Sequence, residues 1–261
     1  MSNEHINYLK KIKKTNLLIK VTQILIILIF LLIWQLLADL KIINTFIFSS
    51  PKNIIKTIIN LYNANNLFNH IGITLYELLI SFIIGTTLGI SISAILWSNN
   101  FLAKVLDPYL TILNSLPKVA LGPILIIWVG ASIKSIIVMA LLISTIITII
   151  NVYQAFISTD KNKIKLFKTF KSNKRQIFFK LVLPSNYSNI ISSLKVNLSM
   201  SLVGIIMGEF LVSKQGIGYL IVYGSQIFNL NLVMSGIFIL CIITILLYYF
   251  IIFIEKRLIK N

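Results

Sequence analysis

Few residues of this chain have the types or the spacing that catalysis requires. The two histidines, His5 and His70, stand in separate segments, and no group of His, Cys and carboxylate residues has the spacing of a metal site. Neither a Walker A sequence nor a Gly-x-Ser-x-Gly elbow occurs. Because an enzyme needs at least a nucleophile and a base close together, we expect no catalytic residue, no bound metal and no cofactor held by this chain.

Polar side chains inside long apolar stretches are the remaining candidates for function. They are Glu77, Lys118, Asn197 and Glu209. If such a stretch crosses a membrane, a charge near its middle costs about 2.5–3.5 kcal/mol on insertion scales. Each charged side chain must therefore find a partner, face a water-filled cavity or reach the membrane surface. We consider all four residues as candidates for lining a solute pathway, with a structural pairing as the alternative.

The elements that carry these residues are six apolar stretches, at about 17–38, 72–97, 105–129, 134–154, 187–212 and 232–254. The chain is 57% hydrophobic and 12% charged, with a mean hydropathy of +0.91. A bilayer core needs roughly 20 apolar helical residues to cross it, and the backbone inside lipid must satisfy its own hydrogen bonds. The sequence therefore predicts an all-α, polytopic membrane protein with six transmembrane helices. One domain covers residues 17–254, between tails at 1–16 and 255–261.

The net charge of +17 is explained by membrane topology. Lysine and arginine are concentrated in the two tails and in the segment of about 158–186, whereas the segments 41–69 and 213–231 carry few. Because positive charge stays on the cytoplasmic side, the sequence predicts a multi-pass protein of the cell membrane with both termini in the cytoplasm. Basic and aromatic residues do not alternate as a nucleic-acid groove requires, so we expect no nucleic-acid partner.

Glycine and proline predict how the helices pack and where one of them breaks. Two Gly-x-x-x-Gly pairs permit close helix approach, with a gating hinge as the alternative role; they are Gly85, Gly89, Gly204 and Gly208. Pro117 and Pro123 fall within the third stretch and should break or bend it.

The longest polar interruption is the segment of about 158–186, here named the 158–186 loop. Its apolar residues recur at helical spacing: Ile164, Phe167 and Phe170, followed by Ile177, Phe178, Leu181 and Val182. This pattern predicts two short amphipathic helices, of which the second ends at Leu183-Pro184 because proline cannot continue a helix interior. Such a pair either lies on the inner leaflet of the membrane or docks a cytoplasmic protein.

The 158–186 loop resembles a cytoplasmic motif of the permease subunits of bacterial ABC importers, in the nitrate/sulfonate/taurine-type branch. That motif reads Glu-Ala-Ala, three residues, Gly, nine residues, then Ile-x-Leu-Pro. Residues 175–184 are similar to its second half, with Leu183-Pro184 at its end. The first half differs, since Lys165-Leu166-Phe167 stands in place of Glu-Ala-Ala and Lys171 in place of glycine.

Other segments are similar to this family in the same order along the chain. They include residues 70–89, residues 106–130 with Leu116-Pro117, and the sequence Gly216-Ile217-Gly218-Tyr219. Together they extend the resemblance over about residues 20–255.

The resemblance implies a type I ABC importer permease fold and a role in transport. Two permease copies would form the pathway, an extracytoplasmic substrate-binding protein would deliver a small solute of the sulfonate, nitrate or vitamin-precursor type, and a separate ABC ATPase would hydrolyse ATP. The loop residues implied in coupling to the ATPase are Ile164, Phe167, Phe170, Lys171, Ile177, Leu183 and Pro184. Two alternatives remain from the residues alone: a stand-alone secondary transporter or channel, and a membrane anchor without a pathway.

Overall fold

Helix is the secondary structure of most of the chain, as expected where apolar segments must satisfy their own backbone. The structure, a computed structural model, describes residues 3–258, with side chains described over 11–253 and 255–257. Residues 1–2 and 259–261 of the two predicted tails lie outside the described residues. The helices are α1 (Asn3–Asp39), α2 (Thr45–Phe48), α3 (Pro51–Asn63), α4 (Leu67–Ser98), α5 (Asn100–Ser115), α6 (Gly122–Val129), α7 (Ile133–Ile157), α8 (Lys161–Thr169), α9 (Lys174–Ile177), α10 (Leu183–Ser185), α11 (Tyr187–Val212), α12 (Ile217–Gln226) and α13 (Leu230–Leu258).

Five of these helices are long and apolar enough to cross a membrane: α1, α4, α7, α11 and α13. They correspond to the predicted stretches one, two, four, five and six. The third stretch differs from a straight crossing, because α5 and the helical segment Lys118–Val129 are bent by 86°. With the bent pair counted as one span, the described residues hold six.

Pro117 causes the break in the third stretch. The residue before a proline is pushed out of the helical region, and Leu116 is accordingly extended, with φ −64° and ψ 140°. A single 3₁₀ turn, Lys118–Leu121, then leads into α6. Pro123 stands at the other end of this break, in the first turn of α6, where a missing N–H costs nothing.

Helix α7 lies at the centre of the fold, packed between α4 on one side and α11 on the other. The α4 glycines Gly85 and Gly89 face Ser144 and Thr148 of α7, while the α11 glycines face Ala140 and Ile136. A Cβ atom at Gly204 would lie 2.5 Å from the Cα of Ala140. The two Gly-x-x-x-Gly pairs thus bring two backbones against the same central helix.

The two segments predicted to lie outside the membrane contain helices that the sequence analysis did not predict. Ser50 caps α3 by accepting a hydrogen bond from the N–H of Asn53 at 3.2 Å, and Pro51 occupies the favourable first position. The second segment contains α12, which begins directly after Gly216. In contrast, the apolar surface of α1 remains exposed, as suits contact with hydrocarbon.

The 158–186 loop contains the predicted pair of short helices, α8 and the segment that starts with α9. Asp160 caps α8 through the N–H of Asn162 at 2.8 Å, and Asn173 caps α9 through the N–H of Gln176 at 2.8 Å. The second helix ends at Ser185 of α10, one residue after the predicted end at Leu183-Pro184 and before the start of α11. A π-helical segment, Phe178–Val182, precedes Pro184, and its wider turn accommodates a residue that lacks an N–H.

Candidate functional site

Polar side chains form a buried seam where α4, α7 and α11 meet. Asn197 of α11 donates a hydrogen bond to Thr148 of α7 at 2.7 Å and accepts one from Ser201 at 2.9 Å. Ser93 of α4 donates to the carbonyl of Ile149 on α7 at 2.9 Å. Asn197 is fully buried, so its amide joins helices rather than facing an open pathway.

Glu209, near the end of α11, accepts hydrogen bonds from two other helices. Its Oε1 accepts from the hydroxyl of Thr74 on α4 at 2.6 Å, and its Oε2 accepts from the N–H of Gly218 at 2.5 Å. The hydroxyl of Thr74 in turn accepts from the N–H of Ile217 at 2.9 Å. His70 Nδ1 accepts from the N–H of Gly216 at 3.0 Å.

These contacts satisfy the first backbone N–H groups of α12, and we name them the α12 clamp: the side chains of His70, Thr74 and Glu209 with the N–H groups of residues 216–218. The first N–H groups of a helix have no partner within the helix. A negative charge is favourable at that end because of the helix dipole. Glu209 therefore stabilises the start of α12 in a site from which water is excluded.

The clamp explains the Gly-x-Gly sequence before Tyr219. Gly216 has a φ of +104°, which other residues rarely adopt. A Cβ atom at Gly216 or Gly218 would also overlap the Glu209 carboxyl group. Only glycine at both positions lets the backbone approach the carboxylate closely enough to donate to it.

Glu77 lies next to the clamp, one helical turn from Thr74 on α4. Its side chain is fully buried, on the same side of α4 as Thr74, whose hydroxyl donates to Glu209. Among the described residues, neither of its carboxyl oxygens has a hydrogen-bond donor. Sequence position alone did not pair the two acids, because they stand on different helices.

Lys118 lies at the break between α5 and α6, not inside a continuous span. Its ammonium group donates to the carbonyl of Asn114 at 2.9 Å. That carbonyl belongs to the last turn of α5, where the last carbonyl groups of a helix have no partner within the helix. The lysine thus caps the end of α5 while its side chain stays partly open to the surroundings.

One face of the 158–186 loop is anchored to the membrane helices. Ile177, Phe178 and Val182 are buried against Val152 and Phe156 of α7. Ile164, Phe167 and Leu183 pack, partly buried, on the same cluster. Asn186 donates to Thr159 Oγ1 and to the carbonyl of Val182, each at 2.8 Å, which ties the two ends of the loop together.

The other face of the loop presents apolar groups to the surroundings. Phe170 is 73% exposed and Leu166 is 54% exposed. Lys171 has a φ of 56°, at the position where the resembling motif has glycine. Pro184 is exposed as well.

A polar cleft of about 370 Å³ lies beside the loop, between the end of α7 and the start of α11. Its polar lining consists of amide and hydroxyl side chains: Asn151, Gln154, Ser158, Asn189, Ser192 and Ser193. Such a group of amides is unfavourable against hydrocarbon, so this face suits water or a polar solute. The sequence analysis did not find it, although the polar residues near the ends of the two apolar stretches were a visible signal.

Comparison with protein families decides what this architecture is. Residues 83–260 match the family described as binding-protein-dependent transport system inner membrane component. The chain belongs to this family. It is an ABC transporter permease.

Two relatives extend the similarity over most of the permease. The putative aliphatic sulfonates transport permease protein SsuC of Bacillus subtilis is 26% identical over 228 residues, which are 87% of this chain and 83% of SsuC. The formylaminopyrimidine transport permease protein ThiX of Halalkalibacterium halodurans is 29% identical over 195 residues, which are 75% of this chain and 77% of ThiX.

A solved structure has the same fold as this permease. It is described as an inward-facing conformation of the MetNI methionine ABC transporter, and one of its chains gives a TM-score of 0.64 at 19% identity. The similarity covers 74% of this permease and 94% of that chain. The predicted fold class, an all-α permease of the type I ABC importer fold, is confirmed.

The four candidate pathway residues do not form one site in the permease. Glu77 and Glu209 both lie at the α12 clamp, on either side of Thr74. Asn197 lies 12 residues before Glu209 on α11, which is about 18 Å along a helix at 1.5 Å per residue. Lys118 lies at the break between α5 and α6. Thr74 and Asn186, whose hydrogen bonds hold the clamp and the loop, were missed by sequence reasoning.

Proposed function

We propose that this permease forms the translocation pathway of an ABC importer and couples to a separate ATPase through the 158–186 loop. The observation that carries the proposal is the two-sided character of that loop. Its buried face is fixed to α7, while Phe170 and Leu166 of its other face remain exposed. Exposed aromatic and aliphatic groups on an anchored element suit contact with another protein.

The substrate proposed is a small solute of the sulfonate, nitrate or vitamin-precursor type. The printed names of SsuC and ThiX, with aliphatic sulfonates and formylaminopyrimidine, support this range. An extracytoplasmic binding protein would deliver the solute, and two permease copies would enclose the pathway. ATP would bind to the partner ATPase and not to this chain.

Both termini and the 158–186 loop are proposed to face the cytoplasm, with α3 and α12 on the outer side. The lysines of α8, among them Lys161 and Lys168, lie on exposed positions of the loop, as the positive-inside rule predicts for cytoplasmic segments. Of the four candidate pathway residues, Lys118 alone keeps a partly open side chain. Burial of Glu77, Asn197 and Glu209 favours roles in holding helices together.

Co-purification with the partner ATPase tests the proposal. We expect Phe170→Ala to weaken ATPase binding by about 2 kcal/mol, or about 30-fold in Kd, because aromatic contacts are typical hot spots. Lys168→Ala, in the last turn of α8 two residues before Phe170, is the matched control, since an exposed charge contributes only about 0–1 kcal/mol. Phe167→Ala is less informative, because Phe167 packs against the permease itself.

Equal ATPase recovery from the wild type and all variants would show that the docking surface lies elsewhere. If the loop lies on the membrane instead, removal of several lysines should detach it from anionic vesicles, and no ATPase should bind. Solute uptake into vesicles that contain the permease without the ATPase would contradict the proposal outright.

A further inference from the structure

Two acidic side chains lie in the interior of the permease, and among the described residues neither forms an ion pair. Glu77 of α4 is 0% exposed and Glu209 of α11 is 1% exposed. Glu77 stands one helical turn from Thr74, whose hydroxyl donates to Glu209 at 2.6 Å, so the two carboxyl groups lie in the same buried region. Two ionised carboxylates in one buried region repel each other, and burying both charges would be costly.

The charged groups on the surrounding helices do not neutralise this pair. On α4, His70 accepts a hydrogen bond at Nδ1, so that nitrogen carries no proton. On α11, Lys195 pairs with Glu255 of α13 at 2.6 Å, and Lys195 lies 14 residues from Glu209, about 21 Å along the helix.

The other two neighbouring helices provide no positive charge next to the pair. On α7, Lys134 is exposed at the first turn, and the titratable residues of α12 are the tyrosines Tyr219 and Tyr223.

The hydrogen bonds distinguish the two acids. Glu209 accepts from the hydroxyl of Thr74 and from the N–H group of Gly218. An ionised carboxylate accepts hydrogen bonds at both oxygens. In a protonated carboxyl group one oxygen carries the O–H and acts as a donor instead. Glu77 has no donor on either oxygen among the described residues. A proton on Glu77 would therefore give that carboxyl group a hydrogen bond and give Glu209 a further donor.

We propose that Glu77 is protonated and donates its proton in a hydrogen bond to the Glu209 carboxylate. The pair then carries one negative charge, which faces the N-terminus of α12. Glu77 acts as a positioning residue: it joins α4 to the α12 clamp and keeps Glu209 turned toward the backbone of α12. This inference concerns the permease alone and does not depend on the identity of the solute or on the ATPase.

Matched glutamine variants test this assignment in the full-length permease. In Glu77→Gln the amide N–H₂ group replaces the carboxyl O–H as a donor to Glu209, so the melting temperature should stay close to that of the wild type. In Glu209→Gln the amide cannot accept at both positions, and buried donors lose a partner. We expect that variant to melt lower by roughly 5 °C or more.

Infrared spectroscopy gives a readout that a purely structural role would not change. At neutral pH the wild type should show the carbonyl stretch of a buried protonated carboxyl group, and this band should be lost in Glu77→Gln. A wild-type spectrum without the band overturns the proposal, whether or not the variants fold. Equal destabilisation by the two glutamine variants also overturns it, as does a band that persists in Glu77→Gln and disappears in Glu209→Gln.

Discussion

The ring of Phe178 in the 158–186 loop lies 5.2 Å from the ring of Trp97 at the end of α4. The same phenylalanine packs edge-on against Phe156 of α7, at 5.3 Å between ring centroids. One loop side chain thus contacts the ends of two membrane helices that are joined along their length by glycine packing. A displacement of the loop would be transmitted to α4 and α7 together.

Phe178→Ala should therefore separate ATP hydrolysis from transport. Truncation of a buried phenylalanine costs about 3–5 kcal/mol, and the loop would lose its contact with α4. We expect the variant in complex with its ATPase to hydrolyse ATP with reduced solute uptake. Phe179→Ala is the matched control, because Phe179 is 55% exposed. Equal uptake per ATP in the two variants would contradict a coupling role for Phe178.

Lys171→Gly should stabilise the loop. Lys171 has a left-handed backbone with a φ of 56°, which costs a residue with a Cβ about 1–2 kcal/mol. After the greater flexibility of glycine in the unfolded chain is included, we expect a gain of about 1 kcal/mol. Lys165→Gly in the interior of α8 should instead cost about 1 kcal/mol. Thermal melting of both variants measures the difference, and a loss at both positions would refute the strain at Lys171.

The apolar stretches predicted most of the fold, because hydropathy and helix length are local properties. The bend at Pro117 was also predictable, since proline acts on its immediate neighbours. The helices α3 and α12 were missed, although Ser50-Pro51 is a local signal for a helix start. The α12 clamp was beyond local reasoning: Thr74 and Glu209, whose hydrogen bond defines it, are 135 residues apart in the sequence.

Gly204→Ala should destabilise the packing of α7 against α11. The added Cβ would lie 2.5 Å from the Cα of Ala140 and 3.1 Å from its N, and backbone atoms cannot move aside without shifting a helix. Overpacking of this kind costs about 1–3 kcal/mol. Gly72→Ala on α4 is the control, because nothing lies within 4 Å of its added Cβ. Thermal melting in detergent should separate the two, and equal stability would argue against tight packing at Gly204.

Cysteine labelling in intact cells tests the proposed orientation. Cys241 is the only cysteine of the sequence, so Cys241→Ser provides a background without thiols. In that background a cysteine introduced by Ala64→Cys, at the exposed end of α3, should react with an impermeant reagent. A cysteine introduced by Lys168→Cys on α8 should react only after the cells are opened. Labelling at position 168 in intact cells would reverse the orientation and remove the basis for ATPase docking.

Lys118→Leu should lower transport and slightly destabilise the permease. The lysine ammonium caps the carbonyl of Asn114 at 2.9 Å, and loss of such a hydrogen bond costs about 1 kcal/mol. If the partly open side chain also contacts the solute, uptake should fall further than this stability loss explains.

Two further variants serve as controls for Lys118→Leu. Lys118→Arg keeps the positive charge and a donor and should restore much of the uptake. Lys104→Leu on the exposed surface of α5 should change neither uptake nor stability. Uptake is compared at equal membrane abundance, so that folding defects do not enter the result. Normal uptake by Lys118→Leu under that condition would restrict Lys118 to capping the end of α5.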